Sequence, residues 1–273
     1  MYIFIIHNMK KKAFTLIELL VVIGIITILL AIIIPALGLS REIARSVQCC
    51  SNLKKITLNL VDYDLKNESF PYSFFYTEEM SEPPGGYLGN YIYEEHGWRW
   101  PNYISASDDN LNSNKLYWCP SRQIKGTKYK TNVLMGNYGV NQSICKSWTQ
   151  EATDEFSGAP LSSMNILVPA QSLLIVDSGY YMINWYHVTD SPPRVLGKNI
   201  KDCSYLPGLA MNSNRYLLPE QKYDAIYGRH RKKTVNAGYA DGHVETKKAE
   251  DLFIEKTSDG YKNLTPLWRP RRK

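Results

Sequence analysis

The sequence predicts an α+β protein in which one long N-terminal helix packs on a mainly antiparallel β-sheet head. Three observations carry this. An apolar run extends from Phe14 to about Leu39, with polar side chains only at Thr15, Glu18 and Thr27. Neither Gly nor Pro occurs from Leu39 to Phe70, so nothing breaks a helix there. Beyond Lys66 the chain turns into short apolar segments separated by clusters of Gly, Pro, Asn, Asp and Ser, the pattern of strands and turns.

The apolar run comes first. As a helix, about 26 residues would reach ~39 Å, and a bilayer core needs about 20. Its Ile and Val would also suit strands, but a single strand of that length would be abnormal. A membrane helix therefore fits best. Lys10, Lys11 and Lys12 precede it with no acid among them, which keeps that end cytoplasmic and sends the rest across the membrane. Glu18 sits near the start of the run, where an unpaired carboxylate costs several kcal/mol, of order ~3, away from the interface. Pro35 lies inside the run, where a missing N–H loosens or kinks a helix.

The segment Lys12-Ala13-Phe14-Thr15-Leu16-Ile17-Glu18 resembles the processing site of type IV prepilins and type II secretion pseudopilins. The resemblance implies a pilin-like fold, a cut between Ala13 and Phe14 by a prepilin peptidase, and methylation of the new Phe14 amine. It also implies that Glu18 neutralises the Phe14 amine of a neighbouring subunit and that Pro35 occupies the family's kink position. Ala13 stands where Gly is usual. The short leader would be Met9–Ala13, with Met1–Asn8 as an apolar extension before a second candidate start. An ordinary signal peptide cleaved near Ser40 and a plain uncleaved anchor are the rivals; the length of the run and Glu18 argue against the first.

After Gly38 the periodicity changes. Ile43, Val47, Cys50, Leu53, Thr57, Leu60 and Asp64 follow a three-and-four spacing that is apolar until its last member, and Ile56 and Val61 widen the stripe. The helix is expected to end near Lys66, before Pro71. The expected organisation is a leader over 1–13, an assembly helix over 14–39, an amphipathic helix over 40–66 and a β-rich head with a basic tail over 67–273. Strand candidates in the head are Lys115–Trp118, Tyr138–Asn141, Ser172–Asp177, Tyr180–Val188, Thr234–Tyr239 and His243–Lys247. With 20 Tyr, 7 Phe and 6 Trp the chain has the bulky side chains of a folded core, which argues against disorder.

The head carries a second resemblance. Gln48–Ile56, Trp118–Ser121, Asn137–Asn141, Leu173–Ser178 and Tyr239–Val244 are similar to landmarks of a pilin-like group expanded in planctomycetes. That group is named for a His, nine residues, then Asp-Gly. Here ten residues separate His230 from Asp241-Gly242, and His243 follows. The resemblance implies fold and export route, not an activity.

Tyr239–Glu245 admits three readings. Asp241-Gly242 is a favoured two-residue hairpin turn between strand-like flanks. Alternatively, Asp241, His243 and Glu245, with His230 or Asp177 approaching, would hold a metal such as calcium, for which the oxygen set is thin. A hydrolase with His230 or His243 as base is the third, but no Gly-x-Ser-x-Gly nucleophile motif accompanies it. No catalytic residue and no required cofactor are expected.

Five cysteines occur, Cys49, Cys50, Cys119, Cys145 and Cys203, none at zinc-ligand spacing. Cys49 and Cys50 are helix neighbours that point apart, and an exported head would allow Cys119 to pair with Cys145 or Cys203. Burial of all five as small apolar residues is equally open. Trp98, Trp100, Tyr103, Trp118, Tyr180, Tyr181, Trp185 and Tyr186 read mainly as core. Arg229, Arg231, Lys232 and Lys233 read as a solvated basic loop. The formal charge of +6 lies largely at the chain ends, and without a basic face or docking element no nucleic-acid partner is expected. The expected partners are the membrane, a prepilin peptidase and other pilin-like subunits. The expected role is a pseudopilin or minor pilin of a type II secretion or type IV pilus-like system, not an enzyme. The competing role is an exported binding protein, for polysaccharide or a surface protein, that uses the segment only as an anchor.

Overall fold

The structure, a computed structural model, describes residues 15–75, 98–105, 111, 113–124, 132–148, 155–189, 205–209 and 219–273. The architecture is α+β: a long apolar N-terminal helix and a mixed β-sheet head. Helix α1 runs Leu16–Asn67. The chain divides into two compact units, Met1–Ile43 and Ala44–Lys273.

In the first unit every described side chain is exposed. The hydroxyls of Thr27 and Ser40 are satisfied locally. Thr27 Oγ1 donates to the Ile23 carbonyl (2.7 Å) and Ser40 Oγ to the Ala36 carbonyl (2.9 Å), the route by which Ser and Thr lose their need for water in an apolar helix. Pro35 lies inside α1, which continues through it.

In the second unit α1 shows one buried face, formed by Cys49, Asn52, Leu53, Ile56, Thr57, Leu60 and Asp64. This face joins Phe70, Trp100, Tyr138, Val140, Leu174 and Ile175 in one apolar cluster. The head's main sheet has five strands: β3 (Tyr138–Asn141), β5 (Leu173–Asp177), β6 (Met182–Ile183), β7 (Thr234–Tyr239) and β8 (Val244–Lys248), in the order β6-β3-β5-β7-β8. Three of its pairings are antiparallel; β3 and β6 run parallel. Short strands β1 (Phe74–Phe75), β2 (Trp98–Arg99) and β4 (Ser147–Trp148) form a second sheet, and β9 (Glu255–Thr257) pairs with β10 (Gly260–Lys262).

Alternation along β7 shows how the helix sits. Val235, Ala237 and Tyr239 join a second apolar cluster with Val176, Leu252, Ile254 and Trp268. The intervening residues face the other way, as period two demands. At Gly238 a Cβ would stand 2.3 Å from Thr57 Oγ1, so glycine there is what lets α1 lie close on the sheet.

Several expectations need correction. Lys115–Tyr117 is a 3₁₀ turn rather than a strand; Asn114 caps it by accepting from the Leu116 amide (3.0 Å). Tyr180–Val188 is a two-residue strand followed by a 3₁₀ turn over Trp185–Val188. The head also contains a helix, α3 (Pro219–Tyr227), besides the short α2 (Trp100–Ile104); Pro219 at its first position was the available signal. Arg229 is not in a solvated loop but buried. Trp100, Tyr181 and Trp185 are core, as read.

Candidate functional site

The first turn of α1 is organised by Thr15 and Glu18. Thr15 Oγ1 accepts from the Glu18 amide (3.3 Å), while Glu18 Oε2 accepts from the Thr15 amide (2.9 Å) and hydroxyl (2.8 Å). This is a reciprocal capping box. It satisfies amides that a helix start leaves unpaired. The Thr-x-x-Glu spacing that signals such a box is present in the sequence. Lys10, Lys11, Lys12, Ala13 and Phe14 lie outside the described residues.

In the head, the C-terminal motif splits into two places. The Asp241-Gly242 turn joins β7 to β8, as a hairpin with a three-residue loop rather than two. Tyr239 N donates to His243 O (3.0 Å), Gly242 N donates to Tyr239 O (2.9 Å), and Gly242 sits at φ 92°. A turn followed by a left-handed glycine is the usual three-residue solution. Asp241 Oδ1 accepts from the His243 amide (3.1 Å) and lies 2.6 Å from His243 Nδ1. The His243 ring stacks on Tyr239 at 4.3 Å. Lys54 Nζ donates to Gly242 O (2.7 Å), tying the turn to α1.

The hairpin's candidate metal donors face other partners. Asp241 and His243 spend their facing atoms on each other, and Glu245 turns to Lys247 (2.9 Å). Partial burial would raise the Glu245 carboxyl, but Lys247, Tyr239 and His243 outweigh it and hold it low. Among the described residues these three do not form a group of convergent metal donors.

His230 is elsewhere, in a buried polar cluster. Its Nε2 lies 3.0 Å from Asp177 Oδ2 at the end of β5. Asp177 Oδ2 also accepts from the amide (2.7 Å) and side chain (3.2 Å) of Asn236 on β7, and Thr246 Oγ1 donates to Asn236 Oδ1 (2.8 Å). Arg229 donates through Nη2 to Asp224 Oδ2 (2.8 Å) and Ser178 O (2.9 Å), and through Nη1 to Asn137 O. Its Nη1 is 3.7 Å from Asp177 Oδ1. Tyr205 donates to Asp224 Oδ2 (2.9 Å). Burial alone would raise Asp177; the His230 ring, the Arg229 guanidinium and the Asn236 amide outweigh it and leave its pKa lowered. Burial likewise works against the Arg229 charge, but Asp224 and Asp177 raise its pKa. The cluster pins β5, β7, the loop after α3 and the segment before β3 to one another. The sequence singles out Asp177 and His230; Asp224 and Tyr205 give no local signal.

The cysteines also rearrange. Cys119 is bridged to Cys49, 70 residues earlier, not to Cys145 or Cys203. The helix face carrying Cys49 packs on the turn carrying Cys119, where Asn52 Nδ2 donates to Trp118 O (3.1 Å), and that contact decides the partner. Cys145 is buried and free, Cys50 is half-buried and free, and Cys203 lies outside the described residues. Burial pushes the Cys50 and Cys145 thiols up.

Residues 8–34 match the family described as the Prokaryotic N-terminal methylation motif. The chain carries a pilin-type prepilin segment. The matched stretch includes Glu18 and ends just before Pro35. Helix α1 is long and apolar enough to cross a membrane, compatible with a single-pass anchor. No curated protein and no solved structure matches the chain.

Proposed function

We propose that this protein is an exported, membrane-anchored structural subunit, a pseudopilin or minor pilin-like protein that assembles through α1. The observation that carries the reading is the methylation motif over residues 8–34, placed at the start of a helix whose apolar residues up to Ile43 are all exposed among the described residues. Such a surface has to be covered by lipid or by other helices. In this reading a prepilin peptidase cuts between Ala13 and Phe14 and methylates the Phe14 amine, the head lies outside the inner membrane, and the filament belongs to a type II secretion or type IV pilus-like system. The head then acts as a displayed structural module and not as an enzyme.

Glu18 has two jobs in sequence. In a lone subunit it caps its own helix through Thr15. On assembly the neighbour's Phe14 amine competes for the same carboxylate, and two charges that are costly alone in an apolar surround are joined. The experiment is mass spectrometry of the N-terminus together with crosslinking of neighbouring helices in membranes. A methylated Phe14 terminus and crosslinks that fall several-fold in Glu18→Ala are expected. An uncut N-terminus, or crosslinking unchanged by Glu18→Ala, refutes the assembly reading.

A further inference from the structure

The five cysteines show no ligand spacing in the sequence, yet the fold brings three ligating groups to one point. Cys49 Sγ on α1, Cys119 Sγ on the turn after Trp118 and a ring nitrogen of His230 lie within 4.8 Å of one another, all three residues buried. His230 Nδ1 is buried with no hydrogen-bond partner among the described residues, while Nε2 is held 3.0 Å from the fully buried Asp177 carboxylate and 3.0 Å from Asn236 Nδ2. The backbones are held as well. The Cys119 amide donates to Asn137 Oδ1 (3.0 Å), and Arg229, next to His230, donates to Asn137 O, so the two loops are referenced to one residue. Tyr138 OH donates to Cys49 O (3.3 Å).

We propose that Cys49, Cys119 and His230 form a binding site for one zinc-type divalent ion when the disulfide is reduced, so that bridge and metal are mutually exclusive states of one site. The chemistry balances in two steps. A dithiol reductant gives two electrons and two protons to the Cys49–Cys119 bond, leaving two thiols and the reductant's own disulfide. The ion then displaces the two thiol protons and binds two thiolates and the neutral imidazole. Two thiolates cancel the charge of a divalent ion, so the buried site gains no net charge. Zinc bonds of about 2.3 Å to sulfur and about 2.0–2.1 Å to nitrogen put tetrahedral donors roughly 3.5–3.8 Å apart; the three groups already lie inside 4.8 Å, and the two sulfurs have to part to that separation once their bond is reduced. Three protein donors leave the fourth position to water or a small ligand. Asp177 stands where a carboxylate behind a ligating histidine fixes ring and tautomer. Thiolate ligands select zinc-like ions over the calcium considered for the hairpin.

Neither Cys50 nor Cys145 belongs to the donor group, and this gives the test its controls. The full chain in detergent is reduced anaerobically and titrated with cobalt(II), then zinc. One equivalent of cobalt should bind with the thiolate charge-transfer and d–d absorption of a tetrahedral site, and zinc should displace it. The oxidised chain should show no such bands. Cys119→Ser should weaken binding at least about 100-fold and Asp177→Asn about 10–100-fold, while Cys50→Ser and Cys145→Ser leave it unchanged. Zinc should also protect Cys49 and Cys119 of the reduced wild type from alkylation. If reduction unfolds the chain, zinc should restore its circular dichroism. Absence of tetrahedral bands in a folded reduced chain, failure of zinc to restore an unfolded one, or bands lost on Cys50→Ser or Cys145→Ser overturns the site.

Discussion

The two halves of α1 share a backbone and differ in everything else. Residues 16–43 expose their side chains throughout, although most are Ile, Leu and Val. Residues 44–67 are more polar, yet Cys49, Leu53, Ile56 and Leu60 are wholly buried. Hydrophobic content therefore does not mark the core of this protein; periodicity does. The first half is apolar on all sides, as a helix meant for lipid or other helices is. The second half is apolar on one face and serves as an interior element of the head.

That contrast can be broken most strongly by truncation. Leu53→Ala or Ile56→Ala should lower the head's stability by about 2–5 kcal/mol, read as a shift of the urea midpoint. Ile26→Ala in the first half should leave the same midpoint unchanged. An equal loss from both would mean that the halves are not energetically distinct.

Reducing the Cys49–Cys119 bridge in the absence of metal comes next. For the 70-residue separation, closing the loop in the unfolded chain contributes about 4 kcal/mol. A fall of that size in chemical denaturation of the reduced chain is expected, with Cys119→Ser reproducing it. Gly238→Ala should cost about 1–3 kcal/mol, because the new methyl meets Thr57 and Ile175. The same substitution at Gly24, where a Cβ meets nothing within 4 Å among the described residues, should not destabilise the head.

Acid provides a subtler contrast. Asp177 is held below its ordinary value of 3.8, so the folded chain binds fewer protons there than the unfolded one. Its contribution is fully present above that value and is lost as pH falls through the lower folded pKa. The urea midpoint of the wild type should therefore drop more steeply below about pH 4 than that of Asp177→Asn, which starts lower and lacks this component. Parallel curves would show that the carboxylate does not contribute through its charge. The smallest effect belongs to the first turn. Thr15→Ala removes one side of the capping box and should cost about 1 kcal/mol locally. Faster amide exchange near Glu18 with an unchanged head midpoint would show it.

What the sequence determined alone was local. The apolar run up to Leu39 declared a helix by length and composition, Lys12–Glu18 carried a prepilin-type motif, and Asp241-Gly242 declared a hairpin turn, because each depends on residues a few positions apart. That hairpin has a three-residue loop where Asp-Gly favours two, since turn type depends on where the strands come into register. Only tertiary structure decided that Cys119 meets Cys49, that Arg229 is buried between Asp224 and Asp177, and that His230 leaves Asp241 and His243 to join Asp177. Each of these joins segments far apart in the chain, and their partners are chosen by how α1 packs on the sheet. The physical reason is the same in each case. Covalent geometry and periodicity fix which face a residue takes, but which distant residue shares that face is fixed by close packing of the whole interior.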